Sequence, residues 1–386
     1  MTTCCIHDSF SLKLKDNLYR TEVQVLMTSG AEEKFEITLL GHTEAVTGVT
    51  WSRGNQELVS VGYDKTLRLW NVENTTEKTQ PIQYTARLST VAVDDESRSI
   101  VCGSTDGCII VFDYHNQNQI MLMRNGGPVT DVAIDSTGFR IAAVNDINCE
   151  LNVWDLRNGK SITRMKDLHR STPTSCMFTP DNRSVITTST DGSVKSIDYV
   201  RQRALITLRD HKHAVSSACI TTDGRLLATT SWDRSILLYD LQTGAYRSQG
   251  PTVLTGAHQG SISCSSISTA GDILVTGGLD KLIVIWDPEK GRQVMSLNGH
   301  ADWVYQVQLS TDERLVLSAS KDKSIRLWDI VSRERMAAGG MADALTKDNK
   351  VKCSLCEKYF TFRPAEKRTG RPRCAFCWLE TEPSIH

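Results

Sequence analysis

The chain has 386 residues, with 44 Lys and Arg against 45 Asp and Glu, so its formal charge is −1. This near-balance excludes a histone-like protein that coats nucleic acid, and 40% hydrophobic with 23% charged residues exclude general disorder. No run approaches the roughly 18 apolar residues of a membrane-spanning helix, and residues 1–15 lack the basic start and apolar stretch of a secretion signal. We therefore expect a cytoplasmic or nuclear protein with no membrane contact, whose twelve Cys form no disulfide framework.

The first element in chain order is a predicted strand, residues 35–40 (FEITLL), after an N-terminal extension that covers residues 1–34. It stands directly before the first of a series of Gly-His or similar dipeptides. After residue 331 the chain becomes charged and then rich in Ala and Gly, so no comparable strand follows there.

A His and an Asp recur at constant spacing through the middle of the chain. Each His is followed after 22 positions by an Asp, and six positions later by a bulky apolar residue with Asp or Asn after it. The His–Asp pairs are His42/Asp64, His169/Asp191, His211/Asp233, His258/Asp280 and His300/Asp322. Two further copies retain only their last third, around Phe112 and Trp154. Seven copies of one unit of about 42 residues are present.

Each copy alternates between strands and turns. In the last copy, residues 304–309, 315–320 and 324–328 are predicted strands, and residues 310–313 form a turn between the first two. With its His, Asp and Trp-Asp at these spacings, the chain resembles the WD40-repeat family, whose units are four-stranded blades of a β-propeller. The resemblance implies an all-β fold: a seven-bladed propeller over residues 35–335. We infer that the N-terminal strand completes the last blade and closes the ring.

The resemblance also assigns a structural role to the repeated polar residues. In the family, the His, the turn Asp, a Ser or Thr four positions before that Asp, and the Trp form a buried hydrogen-bond network. A catalytic site is usually present once, whereas this set repeats, so we predict a structural role and no enzyme activity. The set is complete in three copies: His42, Ser60, Asp64 and Trp70; His258, Thr276, Asp280 and Trp286; His300, Ser318, Asp322 and Trp328. The copies around Phe112 and Trp154 lack the His, and we expect their blades to open more easily than the closure of the ring.

Propellers of this family bind peptides or proteins on the face that carries the turn Asp. The positions that point to this face in the family hold large apolar or cationic residues here, and we predict that they bind partners. They are Tyr63, Trp232, Leu279, Trp303, Tyr305 and Lys321. The alternative is that they plug the channel or pack under loops.

Residues 154–157 (WDLR) resemble the WDxR box of propellers that act as substrate receptors of cullin-RING ubiquitin ligases. Asn148 replaces the Asp of that box, and the small residues Ala142 and Ala143 are displaced by about one position. Arg157 is therefore a candidate contact to the ligase adaptor, and a ligase role is an alternative to a general scaffold.

A linker of Ala, Gly and polar residues, 336–348, leads to two Cys-x2-Cys pairs that are 17 residues apart. Cys353, Cys356, Cys374 and Cys377 would supply four thiolates to one structural Zn²⁺ in a module that covers residues 349–386. A redox Cys pair, unliganded thiols or an iron–sulfur cluster are the alternatives.

Basic residues and aromatics alternate between these two pairs, for example at Lys358, Tyr359, Phe360 and Arg363. Such a segment could bind nucleic acid, or its aromatics could form a small core while its charges face solvent. The sequence thus predicts a non-enzymatic scaffold with a zinc module, with a ligase receptor and a nucleic-acid-associated factor as the alternatives.

Overall fold

The structure is a computed structural model that describes residues 23–25, 36–330 apart from 53, 95 and 97, 350–352 and 359–361. The chain divides into two compact units, residues 1–333 and 334–386. The first unit contains seven antiparallel sheets of four or five strands, each of which is one blade of a propeller.

The strands of a blade follow one another in the chain, except in the last blade. Blade one contains β3 (Val46–Ser52), β4 (Glu57–Gly62), β5 (Thr66–Asn71) and two short outer strands, β6 (Thr76–Glu77) and β7 (Ile82–Gln83). Blade two contains β8 (Leu88–Val93), β9 (Ser99–Ser104), β10 (Cys108–Asp113) and β11 (Gln119–Arg124). Blade three contains β12 (Val129–Ile134), β13 (Arg140–Asn145), β14 (Glu150–Asp155) and β15 (Lys160–Met165).

Blades four to six have the same order. Blade four contains β16 (Pro173–Phe178), β17 (Val185–Ser189), β18 (Val194–Asp198) and β19 (Arg203–Leu208). Blade five contains β20 (Val215–Ile220), β21 (Leu226–Ser231), β22 (Ile236–Asp240), the helix α1 (Tyr246–Gln249) and β23 (Thr252–Leu254). Blade six contains β24 (Ile262–Ile267), β25 (Leu274–Gly278), β26 (Leu282–Asp287) and β27 (Arg292–Asn298).

Blade seven joins the two ends of the propeller. Its first three strands are β28 (Val304–Leu309), β29 (Leu315–Ser320) and β30 (Ser324–Asp329), and its outer strands come from the start of the chain: β2 (Glu36–Leu40) pairs with β30, and β1 (Val23–Val25) pairs with β2. The carboxylate of Glu36 accepts a hydrogen bond from the guanidinium of Arg326 across this pairing. The predicted seven-bladed fold and its closure by an N-terminal strand are both confirmed.

Apolar side chains fill the spaces between blades. Most middle strands are buried along nearly their whole length, as in β4 and β10, because both faces of a blade pack against neighbouring blades. The outermost strands are largely exposed, as in β19. The core is therefore a ring of inter-blade clusters; one of them packs Leu39, Val46, Trp70 and Leu317 where the ring closes.

The second unit contains one described hairpin, in which β31 (Lys350–Lys352) pairs with β32 (Tyr359–Thr361). The four Cys of the predicted zinc module lie outside the described residues. Among the helices that the structure describes, none is long and apolar enough to cross a membrane.

Candidate functional site

Four polar side chains are joined in series inside each complete repeat. In blade one, the Trp70 indole donates to Ser60 Oγ at 2.8 Å, Ser60 Oγ lies 2.8 Å from His42 Nε2, and His42 Nδ1 lies 2.9 Å from Asp64 Oδ2. A carboxylate can only accept, so His42 donates through Nδ1, and its Nε2 accepts the hydroxyl proton of Ser60. Each group therefore has a partner.

The same series is present in two other blades. In blade six, Trp286 donates to Thr276 at 2.9 Å, and His258 lies within 3.1 Å of both Thr276 and Asp280. In blade seven, His300 lies 2.8 Å from both Ser318 and Asp322, and the Trp328 indole donates to Ser318 at 2.9 Å.

The Ser–His–Asp order matches that of a hydrolase triad, but Ser60 cannot act as a nucleophile. Its side chain is completely buried, so no substrate reaches it, and its oxygen already accepts the Trp70 indole proton. The arrangement also repeats in other blades. These observations favour a structural network.

Burial and hydrogen bonding set the ionisation of the network. Burial lowers the pKa of His42, which keeps the ring neutral. Burial alone would raise the pKa of Asp64, but hydrogen bonds from His42, Thr66 and the Thr43 amide outweigh it and hold the pKa at about 2. The network therefore contains one negative charge, on the carboxylate nearest the surface.

Incomplete repeats replace missing members in different ways. In blade five, the Tyr239 hydroxyl takes the place of the indole and donates to Asp210 Oδ2 at 3.0 Å. In blade three, where Gly126 stands in place of the His, Asn152 donates to Asn125 at 2.7 Å, and Glu150 pairs with Arg164. Blade two has Tyr84 and Cys102 at the His and hydroxyl positions, and burial raises the Cys102 pKa.

A second repeated feature lines the central channel. In each blade, the pairing of the innermost strand with the second strand shifts register near the start of the innermost strand, which leaves one unpaired residue there. That residue faces a cavity of about 460 Å³ in every blade. Six of these seven residues are Ser or Thr, namely Thr47, Ser89, Thr130, Thr174, Ser216 and Ser263; the seventh is Tyr305.

Several of these hydroxyls join neighbouring blades. Thr47 donates to the Leu88 carbonyl at 2.8 Å, Ser89 to Val129 at 2.7 Å and Thr174 to Val215 at 2.7 Å. We did not predict this ring of hydroxyls from the sequence, although a Ser or Thr five positions after the repeated His would have indicated it.

The side chains of Gln306 and Asp131 also join neighbouring blades, by accepting hydrogen bonds from them. Gln306 Oε1 of blade seven accepts from the Val49 amide of blade one at 2.9 Å. Asp131 of blade three accepts from the Thr90 hydroxyl at 2.8 Å and the Cys176 amide at 2.9 Å, so it connects blades two and four. Burial raises the pKa of Asp131 to about 6.

Trp303 and Lys321 lie together on the upper face, which we define as the end of the propeller with the turns between second and third strands. The Lys321 ammonium is 4.0 Å from the centre of the Trp303 ring and 3.6 Å from the Asp302 carboxylate. Trp303 remains 40% exposed. The pair is thus an aromatic surface with a cation above it.

The other predicted contacts on this face are spread around the channel. Tyr63 and Tyr305 line the channel cavity, and the Arg87 guanidinium lies 5.3 Å from the Tyr63 ring. Trp232 is 52% exposed in blade five, and Leu279 is half-buried in blade six. All six upper-face residues that the sequence singled out retain some exposure.

Arg157 lies at the opposite end, the lower face, in the turn between β14 and β15. It binds the Asp155 carboxylate through two nitrogens, at 3.0 and 2.6 Å, and its guanidinium lies 5.3 Å from the Phe139 ring. Arg98 lies 5.3 Å from the same ring. The structure therefore separates Arg157 from the six other predicted contacts.

The part of the chain that the structure describes contains no group of three or more His, Cys, Asp or Glu placed to hold a metal ion. Its six Cys are free, and burial raises the pKa of Cys219 and Cys264 to about 12. At neutral pH these two thiols are protonated and unreactive.

Comparison with known proteins agrees with this geometry. The family model "WD domain, G-beta repeat" matches residues 33–71, 160–198, 202–240, 250–287 and 291–329, together about half of the chain. Small ribosomal subunit protein RACK1 of Caenorhabditis elegans is 27% identical over 138 residues, which cover 35% of this chain and 42% of that protein.

Two further relatives match longer segments. Guanine nucleotide-binding protein subunit beta of Oryza sativa subsp. japonica is 25% identical over 54% of this chain and 58% of its own length. WD repeat-containing protein SL1-17 of Schistosoma mansoni is 30% identical over 60% of this chain and 61% of its own. The chain thus spans less than two thirds of the length of each of these three relatives. On the matched repeats and the seven blades, the chain belongs to the WD40 repeat family.

Proposed function

We propose that this protein is a non-enzymatic scaffold that binds peptide or protein partners on the upper face of its propeller. The observation that carries the proposal is the exposure of Trp232 and Trp303, 52% and 40%, on the same face of the ring. Trp residues exposed around a concavity are the usual anchors of protein interfaces because they bury a large area at low entropic cost.

The arrangement of the face supports one extended contact. Trp303 and Lys321 lie in blade seven, Tyr63 lies in blade one, and these blades are neighbours in the ring. Tyr63 and Tyr305 continue the aromatic surface to the channel wall. A partner that covers Trp303 would reach the tyrosines without crossing a charged barrier, since Lys321 and Asp302 are paired with each other.

Two further observations support a scaffold over an enzyme. The polar side chains that resemble catalytic groups are buried and already paired within the blades. Two of the relatives are named as a small ribosomal subunit protein and as a subunit of a guanine nucleotide-binding protein, and both names denote components of larger assemblies.

The test is affinity purification from cells with the variant Trp303→Ala/Tyr63→Ala beside the wild type. We expect the double variant to lose at least one partner, because it removes an anchor from each of two adjacent blades. The matched control is Ile120→Ala/Leu205→Ala, which removes exposed apolar residues from outer strands. Retention of every partner by the upper-face variant would overturn the proposal.

A second candidate function rests on Arg157. Its side chain is 63% exposed on the lower face, next to the partly exposed Phe139, so an adaptor could reach both. If the chain is a ligase substrate receptor, Arg157→Ala should abolish co-precipitation of the cullin-RING propeller adaptor, whereas Arg201→Ala should not, since Arg201 forms a similar pair with Asp198 in the next blade.

We also propose that the four C-terminal Cys hold one structural Zn²⁺. The described hairpin supports this, because its two strands flank the segment 353–358, which contains the first Cys pair. Two Cys-x2-Cys pairs have the ligand spacing of structural zinc sites, and four thiolates would leave no position open for water. Elemental analysis should give about one zinc per wild-type chain and a loss on Cys374→Ser. A wild-type chain without zinc would contradict the proposal.

The basic residues between the Cys pairs are the basis of a third candidate function, that of a nucleic-acid-associated factor. Binding of RNA by the full chain that weakens steeply with salt and disappears when residues 336–386 are removed would favour it.

A further inference from the structure

Four cations occupy the same position in four turns of the upper face. Lys65, Arg234, Lys281 and Lys323 each follow the turn Asp directly, and each has a left-handed backbone, with φ of 64, 68, 70 and 71°. Each amide donates to the carbonyl three residues earlier, at 3.1 to 3.2 Å, so the four turns are equivalent. Glycine adopts this conformation at lower cost than any other residue.

These four turns belong to blades that are neighbours in the ring. Blades five, six, seven and one follow one another around the channel, and the first strand of each contacts the first strand of the next. The corresponding position is Gly107 in blade two, Cys149 in blade three and Gly192 in blade four. The cations therefore form one arc, and the other side of the rim has none at this position.

The four side chains are free to meet a ligand. All four residues are exposed, and within the described part of the chain none forms an ion pair. The neighbouring cations Lys321 and Arg87 are instead paired with Asp302 and Glu44.

The turn Asp of each blade contributes a negative charge close to the cation that follows it. That carboxylate is turned inward: in blade one, Asp64 Oδ2 accepts from His42 and from the Thr43 amide. Its charge is thus already solvated by the protein, whereas the ammonium and guanidinium groups extend outward from the turns.

Apolar anchors stand two residues before three of the cations. Tyr63 precedes Lys65, Trp232 precedes Arg234 and Leu279 precedes Lys281. An apolar group and a cation therefore alternate along the arc. A partner complementary to this pattern contains carboxylates with apolar side chains between them.

We infer that the arc formed by Lys65, Arg234, Lys281 and Lys323 binds an acidic peptide segment that carries apolar side chains between its carboxylates. The inference rests on the proposed function, because it specifies the partner of the same face. The apolar side chains supply most of the affinity, and the charges orient the segment and select against basic competitors.

The experiment measures fluorescence anisotropy of a short labelled peptide made of glutamate, leucine and serine, and of its counterpart with lysine in place of every glutamate. The wild-type chain should bind the glutamate peptide at least about tenfold more tightly, and this preference should shrink as salt rises from about 50 to about 300 mM.

Two variants with the same net charge separate the arc from general electrostatics. In the arc variant, Lys65, Arg234, Lys281 and Lys323 are changed to Gln, which the chain already accommodates at φ 57° and 53° at Gln117 and Gln202. In the control variant, the exposed cations Lys160, Lys166, Arg203 and Arg292 are changed to Gln. We expect the arc variant to lose about tenfold in affinity for the glutamate peptide and the control variant to lose less than about twofold.

Equal affinity of the wild type for the two peptides, or equal losses in the two variants, would overturn the inference. So would displacement of the glutamate peptide by a single-stranded DNA oligonucleotide that binds more tightly, since the arc would then recognise phosphates. If the arc variant retains cellular partners that Trp303→Ala/Tyr63→Ala loses, the scaffold proposal stands and the inference of an acidic peptide partner fails. If neither variant loses a partner, the scaffold proposal itself fails.

Discussion

At the scale of single residues, one buried hydroxyl holds each complete polar network together. Ser318 Oγ accepts the Trp328 indole proton and lies 2.8 Å from His300 Nε2. Two other buried groups therefore depend on one oxygen, so the network is stabilising only while that oxygen is present.

Ser318→Ala should accordingly lower the free energy of unfolding by about 2 to 4 kcal/mol, because it removes the hydroxyl that accepts from the buried Trp328 indole and donates to the buried His300 ring. Chemical denaturation monitored by Trp fluorescence measures this loss. Ser161→Ala, on the exposed outer strand β15, is the control and should change stability by less than about 0.5 kcal/mol. Similar effects of both substitutions would show that the network contributes little.

The ionisation of these networks predicts a loss of stability in mild acid. Burial lowers the pKa of His169 from 6.5 to about 4, so the unfolded chain binds a proton more readily than the folded one. The contribution of the neutral His169 ring to the free energy of unfolding is therefore complete above about pH 6.5. It is lost as the pH drops toward 4, which lowers the free energy of unfolding by roughly 3 kcal/mol. Asp131 opposes the trend, since its raised pKa makes the folded chain the better proton acceptor.

Thermal unfolding between about pH 7 and pH 4 tests this prediction in the wild type and in His169→Asn. The variant should be less stable at pH 7 because it disturbs the contacts to Thr187 and Ser193. Its stability should nevertheless vary less with pH, because it lacks the titrating ring. Parallel pH profiles for the two proteins would contradict the assignment.

The sequence predicted the residues that repeat at fixed spacing and missed those whose role depends on neighbouring blades. His42, Ser60, Asp64 and Trp70 belong to one repeat, so their spacing was visible. The hydroxyl of Thr47 acts on the Leu88 carbonyl of the next blade, and nothing in a single repeat indicates that contact. In the same way, the sequence shows that Tyr239 stands in place of the Trp, but it does not show that the Tyr239 hydroxyl donates to Asp210.

At the scale of elements, the closing strand β2 is the most consequential segment outside the repeats. It fills the outer position of blade seven by pairing with β30 along its whole length. Leu39 of this strand is buried in the cluster that contains Trp70 and Leu317. Without β2, both the sheet edge and this cluster would be open to solvent.

Truncation separates the role of β2 from that of the residues before it. A chain that begins at Phe35 retains β2 and should unfold within a few degrees of the full chain. A chain that begins at Gly41 lacks β2 and should unfold at a much lower temperature or fail to fold, because the ring stays open. Circular dichroism melting of both chains checks this, and equal melting temperatures would contradict the closure.

The structure also refines the expected order of opening among the blades. The missing His led us to expect weak blades two and three, but blade three has a substitute network of Asn125, Asn152, Glu150 and Arg164. Blade two has Tyr84 at the His position and Cys102 at the hydroxyl position of the repeat. In the adjacent blade one, the outer strand is split into β6 and β7.

We therefore expect amide hydrogen exchange to be fastest, among the middle strands, in β9 and β10 of blade two and slowest in β29 and β30 of blade seven. Mass spectrometry of peptides from these strands measures the difference. Equal protection in the two blades would show that the networks do not set local stability.

At the scale of the whole molecule, the two faces of the ring differ in chemistry. The upper face carries Trp232 and Trp303 together with the arc of cations, whereas the lower face carries the Arg98–Phe139–Arg157 stack. The sequence predicted which residues point to the upper face through the family resemblance. The continuity of the cationic arc depends on the order of the blades around the ring, which a single repeat does not show.

The measurement that tests the scaffold proposal most directly is photo-crosslinking in cells from single positions of the propeller. A benzophenone amino acid placed at Trp303 or Trp232 should crosslink partner proteins, because both side chains are exposed on the upper face. The same amino acid at Leu205, on the outer strand β19, should crosslink few or none. Crosslinks from Leu205 with none from Trp303 or Trp232 would contradict the account, since partners would then bind the outer edge of the ring and not its upper face.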